Sequence, residues 1–120
     1  MTTSARRASR APRPGDAACA HADAALVRAF DLLGKRWTGV VLGTLRGGPA
    51  GFRALARSVD GISDSMLSDR LSELSDAGLV TRTVTEGPPL AVRYELTDAG
   101  RALLPALEQI TRWAEEYLPR

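Results

Sequence analysis

The stretch GISDSMLSDRLSELSDAGLVTRTVTEGPPLAVRYELT, residues 61–97, decides the fold because its periodicity changes once along its length. Asp60-Gly61 makes a turn, and Ser63 is a good N-cap for a helix running to about Asp76, with Gly78 just past its end. On that helix Met66, Leu67, Leu71 and Leu74 share one face. At about 100° per residue, Ser65, Ser68, Asp69 and Ser72 point the opposite way, and Arg70 lies at the apolar edge. From Leu79 the period becomes two. LVTRTVT (79–85) alternates, EGPPL (86–90) is a loop, and AVRYELT (91–97) alternates again. Val92, Tyr94 and Leu96 face one side, with Arg93 and Glu95 on the other, which predicts a two-stranded hairpin.

Upstream, FRALARSV (52–59) predicts a short helix. Phe52, Leu55, Ala56 and Val59 form its apolar stripe, while Arg53 and Arg57 share the other side at i, i+4. Before it, a helix is predicted from about Arg36 to Arg46, with Trp37, Val40, Val41 and Leu45 on one face, ended by Gly47-Gly48-Pro49. Gly39 and Gly43 inside it each cost about 1 kcal/mol relative to alanine, so their spacing predicts close approach by another helix. A first helix is expected from a cap at Asp23, with Leu26, Phe30 and Leu33 at helical spacing and Gly34 as its stop. Downstream, Thr97 caps a last helix in which Leu103, Leu107, Ile110 and Ala114 share a face. Pro105 within it should bend it or remove a hydrogen bond.

The order is helix, helix, short helix, tight turn, helix, hairpin, helix. The fold class is therefore α+β, mostly α: a winged helix-turn-helix with a two-stranded β-hairpin wing between N- and C-terminal helices. A chain of 120 residues with 44% hydrophobic content fits one such domain, assigned to residues 19–120. No apolar run approaches the roughly 18 residues that span a bilayer. Residues 1–18, rich in Arg, Ala and Pro, read as a disordered arm without the apolar centre of an export signal, and a single cysteine suits a reducing compartment; the expected location is cytoplasmic. Arg6, Arg7, Arg10 and Arg13 precede the first acid, Asp16; subtracting them from the net +2 leaves −2 for the rest. Any affinity of the folded part for nucleic acid must therefore come from local arrangement.

In a winged helix the second helix of the pair enters the major groove and the hairpin reaches the neighbouring backbone or minor groove, which implies double-stranded DNA as the partner. Ser63, Ser65, Ser68, Asp69 and Ser72 are the candidate contacts on the helix-turn-helix. Arg53 and Arg57 fit phosphate contacts beside the groove, and Arg82 and Arg93 fit the wing. Arg70 suits a structural hydrogen bond about as well as a DNA contact. The basic arm reads either as a minor-groove arm or as a solvated tail. Leu26, Phe30, Leu107, Ile110, Trp113 and Tyr117 are interface or core; periodicity does not separate the two. A winged helix used for protein binding, without DNA, is the alternative. No cofactor or metal is expected, and no enzyme: a thiol enzyme built on Cys19 and His21 would lack an orienting third group.

Four blocks in order, GKRW (34–37), GISDSMLSDRL (61–71), GLVTRTV (78–84) and PPLAVRYELTDAG (88–100), resemble the HxlR-type family of bacterial winged-helix transcription regulators, relatives of the MarR group. The similarity extends over about residues 19–118. It implies a homodimeric regulator, most often a repressor in such families, on a pseudo-palindromic operator, with the first and last helices building the subunit interface. Family members often carry lysine or arginine where Ser65 and Ser72 stand, so this recognition helix is unusually uncharged. Some members carry a redox-sensing cysteine near the start of the first helix. Cys19, in CAHAD (19–23), lies in that region, about one helical turn upstream of the expected position. An oxidant or a small molecule is accordingly the expected effector.

Overall fold

The structure, a computed structural model, describes the backbone of residues 14–120 and the side chains of residues 23–120. The side chains of Arg6, Arg7, Arg10, Arg13, Cys19 and His21 thus lie outside the described residues. The chain divides into two units, one ending at Lys35 and the other spanning Arg36–Arg120.

The first unit contains α1, Pro14–Leu33. It starts well before the cap expected at Asp23, so residues 14–18, assigned to the arm, are helical backbone. The reason is local: proline suits the first helical position, Asp16 follows in the first turn, and alanine, the strongest helix former, dominates up to Ala25. Propensity extended the helix where no apolar period marked it. Gly34 closes it, its N–H donating to the Phe30 carbonyl at 2.8 Å.

The second unit opens on α2, Thr38–Thr44, which tightens into a 3-10 turn over Leu45–Gly47. Thr38, Val41, Leu42 and Leu45 are buried, while Val40 is 54% exposed. The face expected to hold Trp37, Val40, Val41 and Leu45 is thus rotated: Leu42 replaces Val40. Gly39 explains the other side, since a Cβ there would touch Leu107 at 3.9 Å, whereas Gly43 meets nothing within 4 Å and is no packing position. Trp37 sits at φ 82, a backbone region costly for a non-glycine residue. Its ring lies against Gly61, itself at φ 90 in the turn before the next helix, and beneath the Arg36 guanidinium at 4.6 Å.

Thr38 carries a fully buried hydroxyl with no hydrogen-bond partner. Burying an unpaired hydroxyl costs roughly 1–3 kcal/mol, and valine has the same shape without it. Thr38→Val is expected to raise unfolding free energy by about 1 kcal/mol; a denaturation midpoint at or below wild type would contradict this.

α3 (Phe52–Ser58) and α4 (Asp64–Asp76) form the helix-turn-helix. Leu55, Val59, Leu67, Leu71 and Leu74 bury the shared face as the spacing predicts. The Met66 N–H donates to Ser63 Oγ at 3.1 Å, the expected cap. After Gly78, β2 (Val80–Thr85) pairs antiparallel with β3 (Ala91–Leu96). A third strand, β1 (Ala50–Gly51), pairs with the far edge of β3, giving the order β1-β3-β2. The expected two-stranded hairpin is formed by β2 and β3, and β1 extends it into a three-stranded sheet that the sequence did not show, because two residues are too short for alternation.

α5, Asp98–Tyr117, runs through Pro105 without interruption, although Pro105 has no N–H to give to the carbonyl one turn back. Thr97 joins three elements: its hydroxyl donates to the Gly78 carbonyl at 2.7 Å and accepts from the Gly100 N–H at 3.1 Å. Gly100 is buried against the Leu79 carbonyl, and a Cβ there would overlap that oxygen. This contact sets how α5 leaves the sheet.

Candidate nucleic-acid interface

With Leu67, Leu71 and Leu74 buried, α4 cannot rotate, and its opposite face is fixed toward solvent. Ser65, Ser68, Asp69 and Ser72 are all exposed on it, as the sequence predicts. Ser63 Oγ already accepts the capping hydrogen bond, which leaves its proton and one lone pair for an outward contact.

The wing places its two arginines on opposite faces. Arg82 pairs across the ladder with Tyr94, and Arg93 with Thr83, and adjacent pairs point to alternate sides. Arg82 and Tyr94 face α4, where Ser68, Ser72, Ser75 and Asp76 complete a cleft of about 370 Å³ over Leu71. Arg93 instead lines a separate hollow with Arg53, Phe52 and Pro49. Sequence reasoning grouped Arg82 with Arg93 and missed Tyr94, Ser75 and Asp76. The alternation did hold the clue, since Tyr94 lies directly opposite Arg82 once the register is known.

The candidate phosphate contacts also differ from one another. Arg53 is ion-paired with Asp64 in the first turn of α4, at 2.6 Å, and lies over the Phe52 ring at 5.0 Å. Both partners are about two-thirds exposed, so the pair links α3 to the start of α4 but contributes little to stability. Arg57, one turn on, is exposed and forms no ion pair with any described residue. Arg70 has only 12% of its side chain exposed and is paired with Glu73 at 3.4 Å, which fits the structural role.

Away from this surface, Ile110, Trp113 and Tyr117 on α5 are 46–66% exposed, and Leu26 and Phe30 on α1, in the other unit, are 56% and 52% exposed. Leu107 is half-buried. The Trp113 and Tyr117 rings lie 6.4 Å apart. Among the described residues no group of histidine, cysteine and carboxylate side chains could hold a metal ion, and no helix is long and apolar enough to cross a membrane.

Residues 32–120 match the family model described as HxlR-like helix-turn-helix. The HTH-type transcriptional regulator YodB of Bacillus subtilis is 38% identical over 74% of this chain and 80% of its own length. YvaP of the same organism, described as an uncharacterized HTH-type transcriptional regulator, is 37% identical over 76% of this chain and 84% of its own. The reduced form of YodB superposes with a TM-score of 0.69 over 90% of this chain and 96% of that one, at 32% identity. YodB has also been solved diamide-treated and quinone-bound. The oxidized form of HypR, described as a redox regulator, superposes with a TM-score of 0.74 over 79% of this chain and 98% of that one, at 30% identity. The chain belongs to the HxlR-like helix-turn-helix family.

Proposed function

We propose that this protein is a homodimeric, sequence-specific DNA-binding regulator of transcription, acting as a repressor, and not an enzyme. The observation that carries the reading is the surface of α4. A solvent-facing row of hydroxyls and one carboxylate is fixed by a buried leucine face, with Arg82 of the wing beside it and the exposed cation Arg57 on the preceding helix. Such a helix fits the major groove, where side chains reach base edges, while the flanking arginines contact phosphates and set register. Arg53, exposed beside Asp64, offers a phosphate contact that its own carboxylate partner partly offsets. Arg93 reaches the backbone from the far face of the wing.

The exposed apolar residues support a second copy as partner: Ile110, Trp113 and Tyr117 make an apolar ridge along α5, and Leu26, Val27 and Phe30 are exposed together on α1. A two-fold dimer would place its recognition helices roughly 34 Å apart on a pseudo-palindrome. The reduced, diamide-treated and quinone-bound forms of YodB, and the redox description of HypR, support an oxidant or electrophile as the signal. Cys19 is the chain's single thiol and the candidate receiver. The test is a gel shift on DNA upstream of its own coding sequence, with reduced and diamide-treated protein, alongside sedimentation. A shift by a dimer, altered by diamide, is expected. No shift, or a monomer at working concentration, contradicts the reading.

Arg57→Ala is expected to weaken binding to all sequences alike and to flatten the slope of log K against log salt by about 1, because one fewer phosphate is neutralised. An unchanged slope in a salt titration would remove Arg57 from the interface.

A further inference from the structure

We infer that Asp69 is a specificity residue that reads cytosine, its carboxylate accepting the N4 amino group of one C·G pair in each half-site. The inference rests on the DNA-binding reading above and goes beyond it to the base recognised. It starts from a residue the fold does not use. Three other acidic residues of α4 have local roles. Asp64 pairs with Arg53 in the first turn, Glu73 pairs with Arg70, and Asp76 ends the helix beside the wing cleft. Asp69 is mid-helix, exposed, and in no ion pair with a described residue. Aspartate is a poor helix former there, too far from the N-terminus to gain from the helix dipole.

Its nearest neighbours on the surface are Ser65, one turn back, and Ser72, one turn on, so hydroxyls flank the carboxylate and α4 itself places no cation beside it. An ionised carboxylate accepts hydrogen bonds and donates none. Phosphates repel it, which favours the centre of the groove over its walls. The donors there are the amino groups of cytosine N4 and adenine N6 alone. Adenine presents the N7 acceptor beside N6, against which the second carboxylate oxygen is repelled. Cytosine presents only a C–H beside N4. The carboxylate therefore accepts from cytosine and rejects the other bases by repulsion, a discrimination of about 10- to 100-fold. The serine hydroxyls donate to the guanine O6 and N7 acceptors alongside.

The amide of asparagine carries a donor beside its acceptor and matches adenine N6 and N7. The full chain, Asp69→Asn and Asp69→Ala are each to be used to select duplexes from a random library, and the bound pools sequenced. The wild type should enrich a motif with cytosine at one fixed position of each half-site. Asp69→Asn should change that position to adenine, and Asp69→Ala should lose preference there, with the other positions kept. Because the residue is exposed, neither variant should melt below wild type, and Asp69→Ala, which installs the better helix former, should melt slightly above it. A wild-type motif that Asp69→Ala reproduces in full overturns the assignment alone. Enrichment of no motif by the wild type overturns the DNA-binding reading and this assignment together.

Discussion

Gly100→Ala is expected to destabilise the protein by about 3 kcal/mol, the upper range for forcing extra volume into a packed site. The added Cβ would overlap the Leu79 carbonyl and press the Leu96 side chain at 3.1 Å. Neither can yield cheaply. That same carbonyl accepts the Thr97 N–H at 3.0 Å, and Leu96 is buried at the end of β3. Relief would require α5 to move off the sheet, breaking the Thr97 cap and its bond to Gly78. For a domain of this size the melting midpoint should fall by roughly 10–20 °C. Gly43→Ala supplies the internal contrast: with open space around it, an alanine there should stabilise α2 by up to about 1 kcal/mol. A Gly100→Ala protein melting within two or so degrees of wild type would contradict the account of this joint.

Ser68→Glu is expected to leave folding intact and to weaken DNA binding on the order of 100-fold, about 3 kcal/mol. Ser68 is exposed, and glutamate is a good helix former, so the helix should tolerate the change. The new carboxylate would stand in the cleft that also holds Arg82 and Tyr94. There it would compete with phosphate for the Arg82 guanidinium and meet the acceptor-rich groove with a second negative charge beside Asp69. Ser68→Ala removes a hydroxyl without adding charge and should cost at most about tenfold. A glutamate variant that binds as tightly as wild type would place the DNA surface elsewhere.

Much of this architecture was legible because each element carried its own period and punctuation. Ser63, Gly78 and Thr97 marked helix ends by capping chemistry, and Leu67, Leu71 and Leu74 marked the buried face of α4 by spacing. What was not legible depended on information outside the local period. The start of α1 at Pro14 rests on alanine propensity without an apolar stripe. The exchange of Val40 for Leu42 depended on which side α5 approaches, and only Gly39 reported it. β1 is a pairing of two residues with a distant strand. In the site, exposure of Ser65, Ser68, Asp69 and Ser72 followed from helical geometry. The pairing of Arg53 with Asp64 and the opposite facing of Arg82 and Arg93 required the helix-turn-helix angle and the ladder register, which no single segment encodes.

The central claim is that α4 presents this protein to DNA, and one titration tests it most directly. A fluorescent duplex from upstream of its own coding sequence is titrated with wild type and Ser68→Glu, followed by anisotropy at several salt concentrations. The account predicts wild-type affinity that falls linearly as log salt rises, and an affinity on the order of 100-fold weaker for the variant at each salt. Absence of wild-type binding at low salt, or identical curves for the two proteins, would contradict it.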